Sequence, residues 1–276
     1  MRKINLPDIT QDEVCSAFKN LKYRQRILAH SEHYEDYLKN LQTLFDDEQV
    51  VMLKDTEYVG YMKNLYSCKF SHKGSATYRF YLKIKEAQHI CPYCNMTARF
   101  AKELDHYLPK SVFPSLSVSP VNLVPICSDC NNLKKDHYSV NRNEMIIHPY
   151  FDDFATRSFD FIKCTIIEKK PIGFIFSIEK LDDWNDCVFN RVVKHFQILK
   201  LEDLYRTDFE STFEAYVYEL KDIYQNDNIN GVKIAIERRM NSYRESKTFP
   251  WHYAGFKALL NSKWFFHRYF ESSDEI

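Results

Sequence analysis

Cys91-Pro92-Tyr93-Cys94 and Cys127-Ser128-Asp129-Cys130 are two C-x-x-C knuckles with 32 residues between them. Between and around them stand Leu104-Asp105-His106-Tyr107-Leu108-Pro109-Lys110-Ser111, Asn122-Leu123-Val124-Pro125 and Asn131-Asn132-Leu133-Lys134. A single knuckle says little. Two of them specify a tetrahedral zinc, which needs four soft ligands at about 2.3 Å, and two residues between cysteines let both sulfurs of a tight turn converge on one ion. A redox C-x-x-C requires a thioredoxin-like βαβ setting, which these Pro-rich surroundings do not offer. Four sulfurs also close the shell, so Cys91, Cys94, Cys127 and Cys130 are expected to hold a structural zinc that does no chemistry.

The stretch around the knuckles differs from both flanks. Pro109, Pro114, Pro120, Pro125 and Pro149 argue against long helices over residues 89–150. Such a loop-rich insert builds little core of its own, and zinc supplies the staple, with an apparent binding energy on the order of 10–16 kcal/mol. Residues 1–88 read as helical. Thr10 and Glu13 are spaced as a capping box ahead of Val14, Phe18 and Leu21, and Tyr34, Tyr37, Leu38, Leu41 and Leu44 form a second apolar stripe. Residues 151–276 open with a hairpin, Phe159 to Ile167 and Phe174 to Ile178, and continue as helices. Phe209, Phe213, Val217, Leu220 and Tyr224 recur until Asn226-Asp227-Asn228 breaks the run, then Val232–Tyr243 and Trp251–Phe270 follow. The fold expected is mainly α, with a small zinc-stapled insert and one further β-hairpin.

Composition removes several function classes. The chain has 276 residues, with 38 Lys+Arg against 38 Asp+Glu, so no global field draws it onto a polyanion. Its five glycines form neither a dinucleotide fingerprint nor a P-loop, which excludes a nucleotide motor of those types. No apolar h-region follows the first residues and no run is long enough to span a membrane, which points to the cytoplasm, where cysteines serve as thiols and metal ligands.

A carboxylate beside an imidazole is what phosphodiester hydrolysis asks for. Asp is a hard ligand suited to Mg²⁺, and neutral His takes a proton from water near neutral pH. Neighbours on a regular strand point to opposite faces, so Asp105 and His106 serve one site only where the strand ends and twists, which Pro109 favours.

The series C-P-Y-C, L-D-H-Y-L-P-K-S and N-L-V-P-I-C-S-D-C-N-N-L-K resembles the HNH endonucleases, the ββα-metal nuclease family with a zinc-stapled hairpin. The wording L-D-H-Y-L-P-K with Phe113-Pro114 and N-L-V-P is most similar to HNH proteins of bacterial anti-phage systems, including the nuclease subunit of Septu-type and some retron systems. The resemblance covers about residues 90–137. It implies a ββα-metal module with His106 as general base, Asp105 as ligand of a catalytic Mg²⁺ or Mn²⁺, Asn122 holding the loop behind His106, and Asn131 as second metal ligand. Lys134, one turn on, and Lys110 are the candidates for phosphate contacts. Val112-Phe113-Pro114 replaces the glycine pair common in the family, and Asn131 stands where the third letter is usually His. His137, in the second Asp-His pair Asp136-His137, is the alternative ligand to Asn131, and Asn131 as a plain helix N-cap is the bland one.

Six Lys/Arg face four Asp/Glu between residues 89 and 142, a weak patch for a phosphate backbone. The flanking helices are therefore expected to bind a partner that supplies targeting, such as an ATPase of a defence system. The activity expected is metal-dependent cleavage of DNA. The alternatives are a zinc-stabilised binding module without catalysis, and cleavage of RNA.

Overall fold

A computed structural model of the chain describes residues 1–40, 51–153 and 160–270. The chain divides into two compact units, Met1–Thr156 with Asn185–Leu199, and Arg157–Trp184 with Lys200–Ile276. The architecture is mainly helical with two small two-stranded antiparallel sheets, and the four knuckle cysteines cluster in the first unit. Among the described residues no helix is long and apolar enough to cross a membrane.

In the first unit, α1 (Gln11–Ser16) starts with the expected capping box: the Thr10 hydroxyl accepts from the Glu13 amide at 3.2 Å, and the Thr10 amide donates to the Glu13 carboxylate at 2.7 Å. Helix α2 (Arg24–Asn40) buries Ile27, Ser31, Tyr34, Tyr37 and Leu38 along one face; Leu41 and Leu44 of the same stripe lie outside the described residues. Helix α3 (Val59–Leu65) runs on into a π turn over Tyr66–Phe70, and α4 (Tyr78–Glu86) follows.

Strand β1 (Glu103–His106) pairs antiparallel with β2 (Leu123–Ile126), setting Asp105 opposite Val124 and His106 opposite Leu123. Helix α5 (Ser128–Lys134) completes a ββα unit; its N-cap is Cys127, whose sulfur accepts from the Cys130 amide at 3.5 Å. Helix α6 (Asp186–Ile198), capped by Asn185, closes the unit from far down the chain.

The division at residue 88 drawn from composition is not a division in packing. Leu104, Val118 and Leu123 of the ββα stretch share one apolar cluster with Val14, Ile27, Met62, Phe70 and Ile84 of the preceding helices. The expected coreless insert is instead deeply buried, because helices distant in sequence cover its strands and its long connection. That connection, residues 107–122, is also stitched by polar bonds. Ser115 and Ser119 are buried against His30 (2.7 Å) and Ser31 (2.6 Å) of α2, and Ser117 donates to the Pro114 carbonyl at 2.7 Å.

In the second unit, β3 (Ile162–Ile167) and β4 (Gly173–Ile178) form the expected hairpin, with Phe159 outside the described residues. Phe174 and Phe176 pack edge-on against Phe209 of α7 (Leu201–Ser246). Helix α7 breaks at Asn228, whose φ of 57° and ψ of −162° leave the helical region, in the segment where the periodicity fails. Helix α8 (Pro250–Asn261) lies so close to α7 that a Cβ on Gly255 would meet the Phe209 ring at 2.3 Å.

Candidate active site

The ligand atoms of Cys91, Cys94, Cys127 and Cys130 lie within 4.8 Å of one another and all four residues are buried. Sulfurs about 2.3 Å from a shared tetrahedral ion stand at this order of spacing. Burial pushes the Cys91 thiol up, so four thiolates here require a cation among them. The donor set fits structural zinc. No other group of three or more His, Cys, Asp or Glu with this spacing occurs among the described residues.

The staple reaches the carboxylate directly. Tyr93, inside the first knuckle and fully buried, donates its hydroxyl to Asp105 Oδ2 at 2.9 Å. Behind it, His195 of α6 pairs its Nε2 with the Tyr93 carbonyl at 2.9 Å. Lys134 Nζ donates to Asp105 Oδ1 and to the His106 carbonyl, both at 3.0 Å. Lys134 is 1% exposed, so the expectation that it touches a phosphate is corrected: the i,i+3 spacing from Asn131 sets it on the right helix, but the side chain turns inward to neutralise Asp105. A buried carboxylate needs such a counter-charge.

His106 ends β1 and is 8% exposed. Its Nε2 lies 2.9 Å from the Ser117 carbonyl, which only accepts, so Nε2 carries the hydrogen and Nδ1 keeps its lone pair. Among the described residues Nδ1 has no protein partner and it is not one of the buried unpartnered atoms. Burial, aided by the Lys110 and Lys134 charges and opposed by the Ser117 carbonyl, pulls the ring from an ordinary 6.5 down to about 3. The ring of Tyr66 meets the imidazole edge-on at 4.5 Å.

Asn122 is fully buried and grips the connection: its Oδ1 accepts from the Leu108 amide at 2.8 Å, and its Nδ2 donates to the Leu108 and Leu116 carbonyls at 3.0 and 3.2 Å. This clamp holds the loop that carries Ser117. Asn131 donates its Nδ2 to Glu103 at 2.6 Å, and Ser128 braces the other Glu103 oxygen at 2.6 Å. Asn131 Oδ1 is thereby turned away from Glu103, without a protein partner among the described residues.

A recess of about 380 Å³ gathers Asp105, His106, Asn131, Lys63, Lys110 and Lys135 along its wall. His137 lines a separate small cavity beside Tyr107 and Met145, so Asn131, not His137, shares the recess with Asp105. Lys110 sits over the Tyr66 ring at 4.7 Å, and partial burial lowers its pKa. Two of the four lone-pair directions of Asp105 are taken by Tyr93 and Lys134, which leaves hard oxygen capacity there and on Asn131 Oδ1 for a divalent cation. Sequence reasoning passed over Tyr93, Lys63, Tyr66 and Ser117. Tyr93 stood inside a ligand knuckle and was legible as a residue the zinc would orient; Lys63 and Tyr66 carried no signal, being some forty residues upstream.

Comparison with known proteins agrees with the geometry. Residues 91–137 match the model of the HNH endonuclease family. Protein ea31 of Escherichia phage lambda is 31% identical over 119 residues, 43% of this chain and 40% of that protein. The Septu protein PtuB of Bacillus thuringiensis is 44% identical over 50 residues, 18% of this chain and 19% of its own length. Each match thus spans less than half of the relative concerned. No solved structure matches the chain.

Proposed function

We propose that the chain is a metal-dependent endonuclease that hydrolyses phosphodiester bonds of DNA, acting in the cytoplasm as an effector of anti-phage defence. The observation that carries the reading is a neutral His106 at a strand end, its Nε2–H spent on the Ser117 carbonyl and its Nδ1 open, in one recess with Asp105 and Asn131. His106 Nδ1 takes a proton from water, which attacks phosphorus; a positioned base of this kind contributes about 10²–10⁴-fold. Asp105 and the Asn131 amide oxygen would hold a Mg²⁺ or Mn²⁺ ion, which would supply neutralisation of charge on the scissile phosphate and the leaving oxygen. Lys63, Lys110 and Lys135 attract the phosphate, and Asn122 keeps the Ser117 carbonyl, and so the imidazole, in place. The products are 5′-phosphate and 3′-hydroxyl ends.

The likeness to a Septu protein supports a defence role with a protein partner, which we take to be an ATPase that supplies targeting. A catalytically silent zinc module is the competing reading, favoured only by the Lys134 ammonium already seated on Asp105. Supercoiled plasmid incubated with the protein and its partner in Mg²⁺ or Mn²⁺, beside EDTA and His106→Ala lanes, separates the two. Nicking that needs both metal and His106 is expected. Cutting that survives in His106→Ala removes the base assignment, and an RNA transcript cut in place of plasmid moves the substrate to RNA.

A further inference from the structure

A second recess, of about 770 Å³, opens on the other flank of α3 and its π turn. Lys19, Lys69 and Lys73 stand at its wall with His72, while Phe18 and Tyr61 give it an aromatic face. Among the described residues no Asp or Glu lines it. None of the three lysines is ion-paired among the described residues, and all are exposed. In a chain whose charges balance overall, such an unopposed patch is a local cost in self-repulsion unless an anion meets it.

The wall is shaped on one side by Gly74, whose φ of +89° belongs to the left-handed region and lets the His72–Ser75 turn fold back. The Tyr61 hydroxyl accepts from the Lys22 amide at 3.0 Å and Tyr23 meets its ring at 5.6 Å, so the aromatic face is held from behind. The position of the recess is the telling feature. Lys63 belongs to the active-site wall and Asn64, the next residue, to this one; Tyr66 touches His106, and Cys68 and Lys69 line the second recess. One continuous helical segment with a π turn, a distortion that recurs at functional sites, thus borders both.

We propose that this cleft receives single-stranded DNA flanking the scissile phosphate, with bases against Phe18 and Tyr61 and phosphates on Lys19, Lys69 and Lys73. The inference rests on the nuclease reading above and adds its substrate form. Cationic side chains interleaved with aromatic faces are what an unpaired strand exploits, because only unstacked bases expose a π-face; a duplex presents phosphates alone. The strand then continues across Lys63 into the recess of His106.

The test uses the zinc-loaded full chain carrying His106→Ala, without added divalent metal, and a fluorescent dT20 read by anisotropy. Lys69→Glu with Lys73→Glu is expected to weaken dT20 binding at least tenfold and to lower the slope of log K against log salt by about 1.4, at roughly 0.7 per phosphate lost on a single strand. A duplex of equal length is expected to bind more weakly than dT20. Both lysines are exposed, so unchanged melting checks the fold. Unchanged dT20 affinity in the double variant, a preference for duplex, or binding of rU20 but not dT20 overturns the proposal. Hydrolysis of a small p-nitrophenyl phosphodiester by the chain with native His106 is run in parallel. It reports only on the His106 site and is expected to be the same with and without the lysine changes. Loss of that hydrolysis everywhere would defeat the nuclease reading, while the anisotropy still decides the cleft.

Discussion

Asp105 is held by two unlike neighbours, and each has its own measurable consequence. The Tyr93 hydroxyl gives it a hydrogen bond of 2.9 Å. Removing it in Tyr93→Phe spares the cysteines, so zinc content should stay the same while cleavage falls roughly ten- to a hundredfold, the worth of about 1.5–3 kcal/mol for a bond to a charged group. Full activity in that variant would show that Tyr93 only fills space. Lys134 is a harsher case. Its ammonium is buried with the carboxylate, and Lys134→Met leaves an uncompensated charge, a loss of about 3–5 kcal/mol. We expect the urea midpoint of Lys134→Met to drop sharply without divalent metal and to recover in part with Mg²⁺, which would take up the counter-charge. An unchanged midpoint would mean that Asp105 is not ionised in the fold.

At the scale of elements, the hairpin β1–β2 and helix α5 were expected only through the resemblance to HNH endonucleases, since the prolines of this stretch read as loop. The break at Asn228 and the capping box at Thr10 were directly visible, because both are local: an Asx turn from Asn228 Oδ1 to the Asn230 amide, and a reciprocal pair three residues apart. The contact of α8 with α7 was not. Nothing near Gly255 announces that the ring of Phe209, 46 residues earlier, lies across it. Gly255→Ala drives a methyl into that ring and should cost about 1–3 kcal/mol despite the better helix propensity of alanine. A melting temperature that rises in Gly255→Ala would show that Phe209 swings aside freely.

For the molecule as a whole, the cysteine-knuckle module and the helices before it should melt as partners, because Leu104, Val118 and Leu123 complete a core begun by Val14, Ile27 and Ile84. Cys91→Ser should therefore lose zinc and speed amide exchange in α2 and α4 as well as in β1 and β2. Faster exchange confined to residues 89–137 would contradict a shared core. Acid should act on the same unit. Burial holds His106 and His195 down to about 3 and His148 well below its ordinary 6.5. The unfolded chain takes up those protons first, so the stability tied to neutral burial is complete above pH 6.5 and is lost as pH falls towards 3. Each such ring steepens the fall by up to about 1.4 kcal/mol per pH unit. The urea midpoint should drop between pH 7 and 5, and His195→Gln, which still offers a donor to the Tyr93 carbonyl, should flatten that slope; equal slopes would reject neutral burial of His195.

The knuckle spacing, the order Asp105-His106, Asn122 and Asn131, and the periods of the flanking helices all lie within short windows of chain. Zinc chemistry, helix caps and strand ends act over those windows, so the four-cysteine cluster and the flanking helices were legible without coordinates, while the candidate site was named only through the resemblance to HNH endonucleases. What needed the third dimension was every pairing across long separations. Lys134, one turn after Asn131, was expected to contact a phosphate, yet it turns in to Asp105, 29 residues away. Lys63 and Tyr66 join the site from another helix, and α2 supplies the partners of Ser115 and Ser119. The reason is physical: desolvating a carboxylate, an imidazole and two serine hydroxyls demands partners, and packing, not sequence neighbourhood, chooses which ones arrive.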